Sequence, residues 1–199
     1  MLPYLDIPLQ HISDRILKAM NRHIDRAATL ELLDKLRARI PGLTLRTTFI
    51  VGFPGETDAD FAELCDFIRK YRFDRLGVFP YAAEAATPAA KFPDQVSPEV
   101  AETRARTVMR RQVERMKRAN RRRIGSEATV LVDAVDSDGV AVARGAADAP
   151  DIDNVVLIPN ARKLCPGETV KVRFTGCAGC DMIAETVRKH PAARNSKRR

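Results

Sequence analysis

Tryptophan is absent from this 199-residue chain, histidine occurs three times and cysteine four times. Each shortage removes a class of function. Cys65, Cys165, Cys177 and Cys180 are too few and too scattered for the disulfide framework of a small secreted domain. His11, His23 and His190 stand far apart, and no Ser/His/Asp or paired-carboxylate pattern emerges around them. No apolar run approaches the roughly 20 residues of a membrane span. Met1-Leu2-Pro3-Tyr4 lacks the charged and apolar regions of a signal peptide. A cytoplasmic protein without a membrane partner is expected. Internal repeats are also lacking, and no Lys-Ser or Lys-Thr follows the glycines of the turn described below, which excludes a phosphate-binding loop of the Walker type.

What is present is a hydrophobic fraction of 45%, enough for one sizeable core or two smaller ones. Lysine and arginine number 34 against 26 acidic residues, for a net charge of +8. The excess gathers in Arg104 to Arg123 and Arg188 to Arg199, a pattern that suits a polyanion such as RNA or a ribosome and equally suits a solvated helix face and a tail.

The most informative segment is Thr47-Thr48-Phe49-Ile50-Val51-Gly52-Phe53-Pro54-Gly55-Glu56-Thr57. Phe49 to Val51 read as a strand covered on both faces, Gly52 and Gly55 permit backbone shapes that a side chain blocks, and Glu56-Thr57 opens an acid-rich helix from Asp58 to Lys70. This is the form of a cofactor-binding turn, although any α/β connection also needs a glycine and a cap. Around it, strands are predicted over Tyr4 to Gln10, Leu43 to Val51 and Leu76 to Tyr81. Helices are predicted from Ser13 or Asp14 to Met20, Arg26 to Ile40 and Phe61 to Tyr71. Alternation of this kind gives a parallel α/β sheet with ligands at the carboxyl ends of its strands.

Ala82 to Pro98 reads as a crossing segment. A long helix follows to about Arg123, with Ala105, Met109, Val113 and Met116 as its apolar stripe. Beyond Gly125, strands over Ala128 to Val135, Val140 to Arg144, Val155 to Ile158 and Thr169 to Phe174 describe a small antiparallel barrel. The expected organisation is an α/β part over 1–97, a basic linking helix over 98–124, a barrel over 125–187 and a basic disordered tail over 188–199.

Three stretches carry a resemblance: Tyr-Leu-Asp-Ile-Pro-Leu-Gln-His at 4–11, Arg-Ile-Leu-Lys-Ala-Met-Asn-Arg at 15–22 and Leu-Arg-Thr-Thr-Phe-Ile-Val-Gly-Phe-Pro-Gly-Glu-Thr at 45–57. They resemble the radical S-adenosylmethionine methylthiotransferases. The similarity runs over nearly the whole chain, with Gly77 to Tyr81 similar to the last strand of the radical SAM barrel and Gly125 to Val187 similar to the TRAM barrel. Within the family, Asp6 to His11 and Ala147 to Asp153 are similar to the branch that modifies an aspartate of small-subunit ribosomal protein twelve. The tRNA-adenosine branch usually has His-x-Pro-x-Gln-Ser-Gly-Ser in the first position. The implied fold is therefore an α/β partial barrel, the carboxyl-terminal part of a radical SAM barrel, followed by a small all-β TRAM/OB-like barrel.

The resemblance implies S-adenosylmethionine bound across the strand ends by Gln10, Arg46, Ile50, Gly52, Glu56, Phe79 and Tyr81. The Gln10 amide both donates and accepts, and Arg46 suits a carboxylate. Gly52 would admit the adenine, with Ile50, Phe79 and Tyr81 as walls. Alternatives stand beside these roles: Gln10 as an ordinary strand end, Tyr81 as core and Glu56 as a helix-start acid. Phe73 and Phe92 read as packing residues. Arg110, Arg111, Arg118, Arg121, Arg122 and Arg123 are the candidate surface for RNA or a ribosomal partner.

The family's iron-sulfur clusters need cysteine thiolates, one set spaced Cys-x3-Cys-x2-Cys, and that spacing does not occur here. The chain is thus expected to be a carboxyl-terminal portion that begins near the fourth barrel strand and is inactive alone. Cys177-Ala178-Gly179-Cys180, with Cys165, is half of a zinc pattern or simply a set of small buried residues. A local departure is Ala85-Ala86-Thr87, where the family commonly has Glu-Gly-Thr. Three functions are carried forward: the ribosomal-protein methylthiotransferase, its tRNA-modifying counterpart, and a non-catalytic RNA- or ribosome-binding remnant.

Overall fold

The computed structural model describes residues 2–187. The chain divides into two compact units, Met1–Met116 and Lys117–Arg199. The basic tail over 188–199 lies outside the described residues.

In the first unit β1 (Tyr4–Asp6), β2 (Thr44–Val51) and β3 (Arg75–Pro80) form a wholly parallel sheet in the order β1-β2-β3. The connections are helical, as parallel strands require: α1 (Asp14–Ala19) and α2 (Arg26–Arg39) precede β2, and α3 (Asp58–Tyr71) leads into β3. Asp25 caps α2 by accepting from the Ala28 N–H, and Thr57 with Asp60 forms a reciprocal capping box on α3. Ser13 precedes α1 without a side-chain cap, because its hydroxyl donates to Asp60 Oδ1 at 2.7 Å instead.

The sheet has two unlike faces. Leu45, Phe49, Val51, Leu76 and Val78 bury against Leu33 of α2, Leu64, Phe67 and Ile68 of α3, and Ala105 and Val108 of α4 (Pro98–Arg123). Phe49, Phe67 and Phe73 pack edge to face with centroids 5.6 to 6.1 Å apart. Arg46, Thr48 and Ile50 point the other way and stay half-buried. Phe49 to Val51 is therefore not covered on both faces, as the apolar run suggested. Period-two alternation puts Ile50 on the open side.

The register of α4 also differs from expectation. Along the part of α4 that belongs to the first unit, the buried positions are Ala101, Arg104, Ala105, Val108 and Gln112, while Met109, Val113 and Met116 are half-buried. Two polar side chains sit in that stripe because each has partners on the sheet side. Gln112 Nε2 donates to the carbonyls of Phe73 and Asp74, both at 3.4 Å.

The second unit contains β4 (Glu127–Val135), β5 (Ala141–Arg144), β6 (Val156–Ile158), β7 (Thr169–Ala178) and β8 (Asp181–Thr186), closed into a barrel in the order β4-β5-β6-β8-β7. Val130, Val132, Val172, Phe174, Met182 and Ala184 fill it. Two expectations fail here. β8 was missed, since Thr175-Gly176 reads as a strand end, whereas a bulge between Phe174 and Gly176 carries β7 onward to Ala178. The barrel is not purely antiparallel either, because β6 pairs with β8 in parallel.

Candidate functional site

The carboxyl ends of the first unit's strands hold most of the expected cofactor residues, and backbone bonds fix how they lie. Gln10 adopts a left-handed conformation (φ 69°), rare for a residue with a Cβ. It is held there by the Gln10 N–H donating to the Thr48 carbonyl and the Ile50 N–H donating to the Gln10 carbonyl, each at 2.9 Å. Across β2, the Tyr81 N–H donates to the Val51 carbonyl at 2.8 Å. Gln10 and Tyr81 are thus stitched to opposite edges of one strand end. Each keeps a buried polar atom with no hydrogen-bond partner, Gln10 Oε1 and the Tyr81 hydroxyl.

Between them the open face runs along β2 and β3. Register pairs Arg46 with Arg75, Thr48 with Gly77 and Ile50 with Phe79. Phe79 is 58% exposed, unusual for a ring at a strand end. Arg46, Ile50 and Phe79 therefore share one face, with Gly77 leaving room beside Thr48. Arg46 does not wait with an empty guanidinium, since its Nη1 donates to Asp6 Oδ2 at 2.7 Å.

Gly52 and Glu56 serve the other side of the turn. Gly52 has φ 76°, and a Cβ there would collide with the Cβ of Ala101 and lie 3.0 Å from its Cα. The space that a Cβ would need is filled by Ala101 of α4, which gives Gly52 a part in helix packing. Glu56 is buried, accepts from the N–H groups of Gly52 and Phe53, and pairs with Arg104 at 3.2 Å. Burial pushes its carboxyl above the usual range, while Arg104 and the two N–H groups hold the rise back. Phe53, in that turn, packs edge to face on Tyr81 at 5.1 Å and meets Phe92 at 6.3 Å, which gives Phe92 the packing role expected of it.

Sequence reasoning missed the support beneath this end of the sheet. His11 is wholly buried and its Nδ1 accepts from the Ser13 N–H at 3.0 Å, so the neutral ring carries its proton on Nε2. Burial lowers its pKa to about 4, more than the Asp60 charge restores. Asp60 gathers Ser13, Thr57 and Arg15. Burial would raise its carboxyl, but these hydrogen bonds prevail and hold it well below the usual range. Nothing in the local pattern marks Arg104, since it sits in a run of arginines that reads as solvated.

In the second unit the loop at Ala147 to Asp153 is closed on itself. Asp148 accepts from the Gly145 N–H and Asp153 from the Ala149 N–H. Arg110, Arg111, Arg118, Arg121 and Arg122 of α4 are exposed, whereas Arg123 is half-buried with its guanidinium 4.5 Å from the Phe174 ring centroid. Cys65 lies on α3 and the other three cysteines belong to the second unit. Among the described residues no group of three His, Cys, Asp or Glu side chains is placed to hold a metal. The described residues thus offer no ligand set for an iron-sulfur cluster or a zinc ion. Gln10 Oε1, the Tyr81 hydroxyl and the exposed Phe79 ring give the strand end the mixed polar and apolar character that a small organic ligand would need.

Comparison with known proteins agrees with this division. Residues 2–68 match the Radical SAM superfamily and residues 124–187 match the TRAM domain. Curated relatives named ribosomal protein uS12 methylthiotransferase RimO include those of Desulforudis audaxviator (strain MP104C), 47% identical over 94% of this chain and 42% of the relative, and of Azoarcus sp. (strain BH72), 46% identical with the same coverage. The chain spans about two fifths of the length of these relatives. Among solved structures, the radical SAM enzyme coproporphyrinogen III oxidase (HemN) of Escherichia coli is similar in fold, with a TM-score of 0.50 and 16% identity, over 87% of this chain and 41% of that one. Identity near one half, sustained across a parallel sheet and the barrel that follows it, leads to one conclusion: the chain is similar along nearly its whole length to about two fifths of the RimO methylthiotransferases, with a Radical SAM region and a TRAM region in that order.

Proposed function

We propose that this chain is the cofactor- and partner-facing portion of a methylthiotransferase that modifies an aspartate of ribosomal protein uS12 in the cytoplasm. The observation that carries the reading is the pair of buried, unpartnered polar atoms, Gln10 Oε1 and the Tyr81 hydroxyl, at the two edges of one strand end beside the exposed Phe79 ring. An unpaired buried polar atom costs about 1–3 kcal/mol, so two at one site favour a polar ligand that pays it back. The Radical SAM superfamily match over residues 2–68 supports S-adenosylmethionine as that ligand.

In this reading S-adenosylmethionine, when bound, supplies the methyl group and the radical-generating cleavage. Gln10 and Tyr81 orient its polar groups, Ile50 and Phe79 cover its apolar surface, and Arg46, already beside Asp6, adds positive charge at the other end of the face. Glu56 and Gly52 shape the turn beneath. Cluster binding falls to cysteines that this sequence does not contain in the required spacing, so the chain alone does not cleave the cofactor. The exposed arginines of α4 face ribosomal RNA or the ribosomal protein's surroundings.

Titration calorimetry with S-adenosylmethionine tests the reading. Measurable binding that falls about tenfold in Gln10→Ala supports it. Binding to the chain that is indifferent to both Gln10 and Tyr81 would place the cofactor elsewhere. After anaerobic reconstitution with iron and sulfide, a stable cluster absorption band with cofactor cleavage would overturn the claim of inactivity.

A further inference from the structure

At the opposite end of the same sheet, where its strands begin, arginines of three elements, Arg37, Arg72 and Arg115, stand near enough to act on one another's charge. Arg37 in the last turn of α2 reaches the end of α3, its Nη2 donating to the carbonyls of Tyr71 and Arg72 at 3.2 Å each. The same nitrogen lies 3.8 Å from Asp74 Oδ2. Arg72 is the exposed residue that ends α3, in a left-handed conformation (φ 50°) that turns the chain toward Asp74. α4 is drawn to this corner by Gln112, and Arg115 follows three residues later on the same side of the helix.

We propose that Arg37, Arg72 and Arg115 form a phosphate-binding cluster at the amino ends of β2 and β3, which takes the backbone of an RNA strand. The proposal rests on the reading that the chain works beside ribosomal RNA, and it adds a contact on the first unit.

The charge balance is the main argument. Asp74 is the carboxylate that Arg37 and Arg115 share, and it is partly committed, since Oδ2 also accepts from the Leu45 N–H at 3.0 Å. With Asp34 also acting on Tyr71, the corner sets three arginines against two carboxylates and keeps an excess of positive charge. Arg115 shows the strain: burial disfavours its charge, Asp74 favours it, and both Arg37 and Arg72 oppose it. An incoming anion relieves that repulsion. Arg37 and Asp74 are 37% and 43% exposed, so the corner is open to a ligand.

Chemistry and surroundings favour a nucleic-acid backbone. The guanidinium fork matches phosphate oxygens, and three forks from different elements suit successive phosphates better than a lone carboxylate. Positive charge also continues outward, through Lys70 in the last turn of α3 and the exposed Arg110 and Arg111 on α4, while Arg69 pairs with Asp66 at 2.9 Å. A strand with a charge on every residue can follow such a surface.

The test uses the full chain, a short fluorescein-labelled RNA hairpin and anisotropy over about 50 to 200 mM KCl. In Arg37→Gln/Arg115→Gln the slope of log affinity against log salt should become shallower by about two, and in Arg72→Gln by about one, with Arg37→Lys/Arg115→Lys largely restoring it. If the double variant is unfolded by circular dichroism, the exposed Arg72 decides. An unchanged slope in folded variants would reduce these arginines to caps of α3 and overturn the proposal. Equal competition by polyglutamate and by RNA would also overturn it, in favour of an acidic protein. Absence of RNA binding by the unaltered chain would refute the broader reading of an RNA-side function. Normal binding with an intact slope in the variants would refute the cluster alone.

Discussion

The Arg104 guanidinium bridges the turn after β2 to α4: Nη1 lies 3.2 Å from Glu56 Oε1 and Nη2 lies 2.7 Å from Asp58 Oδ1. Arg104 and Glu56 are both buried, and Arg104 also stacks 5.4 Å from the Phe61 ring centroid. Removing one member of a buried pair strands the other charge without water. Arg104→Met is expected to cost about 3 kcal/mol in urea unfolding of the first unit, and Glu56→Gln added to it should recover more than half of the loss. Equal losses in the single and double variants would show that the pair acts through packing alone.

His11 gives the first unit a defined acid sensitivity. Its pKa is about 4 in the folded chain against 6.5 ordinarily, so between those values the unfolded chain binds the extra proton. Stability from this group is whole above pH 6.5 and is lost as pH falls toward 4, about 3 kcal/mol in all. Glu56 acts with the opposite sign. Its raised carboxyl keeps a proton in the folded chain above pH 4.5, so its contribution declines as pH rises through its folded value. Asp60, held low, loses its contribution only below about pH 3.8. His11→Asn retains an acceptor near Nδ1 and removes the titration. Its unfolding free energy should be flatter between pH 4 and 6.5 than that of the native chain. An identical slope in both would assign the acid sensitivity to other groups.

Two glycines of the first unit separate conformational strain from crowding. Gly42 and Gly52 both have positive φ, 70° and 76°, but a Cβ at Gly42 meets nothing within 4 Å whereas one at Gly52 runs into Ala101. Gly42→Ala is expected to cost about 1 kcal/mol, the left-handed penalty. Gly52→Ala should cost about 3 kcal/mol or more, with partial rescue by Ala101→Gly, which clears the Cβ but leaves the strained φ. Equal losses in denaturant melts would mean that α4 moves aside freely.

Periodicity made the parallel sheet, the capped helices and four of the five barrel strands legible, because each depends on a repeat of two or 3.6 residues within a short window. Pairings between distant residues left no such trace. Arg104 lies 48 residues from Glu56, and a buried arginine in a basic run looks like its solvated neighbours. The bulge that carries β7 past Gly176 breaks the very alternation by which a strand is read. At the candidate site the same limit applies. The family resemblance implied a ligand face at 10, 46, 50, 79 and 81, and the register puts Arg46, Ile50 and Phe79 on one side of the sheet. That Gly52 and Glu56 turn toward α4 follows from a contact with Ala101 and Arg104 that lies outside any local motif.

Tyr81 offers the sharpest separation of binding from folding. Its hydroxyl is buried without a hydrogen-bond partner, while its ring packs on Phe53 and its backbone completes the bond to Val51. Tyr81→Phe keeps the ring and the backbone and deletes only the orphaned group. A buried hydroxyl that the fold does not use costs stability, so the variant should be as stable as the native chain or more stable by about 1 kcal/mol. If the hydroxyl is there for a ligand, the same change should weaken S-adenosylmethionine binding about five- to tenfold, because a ligand group shaped for that hydroxyl then goes unpaired. Thermal melting and calorimetry on one preparation give both numbers. A loss of stability beyond about 1 kcal/mol would show that the hydroxyl serves the fold, and unchanged binding beside unchanged stability would remove Tyr81 from the cofactor face.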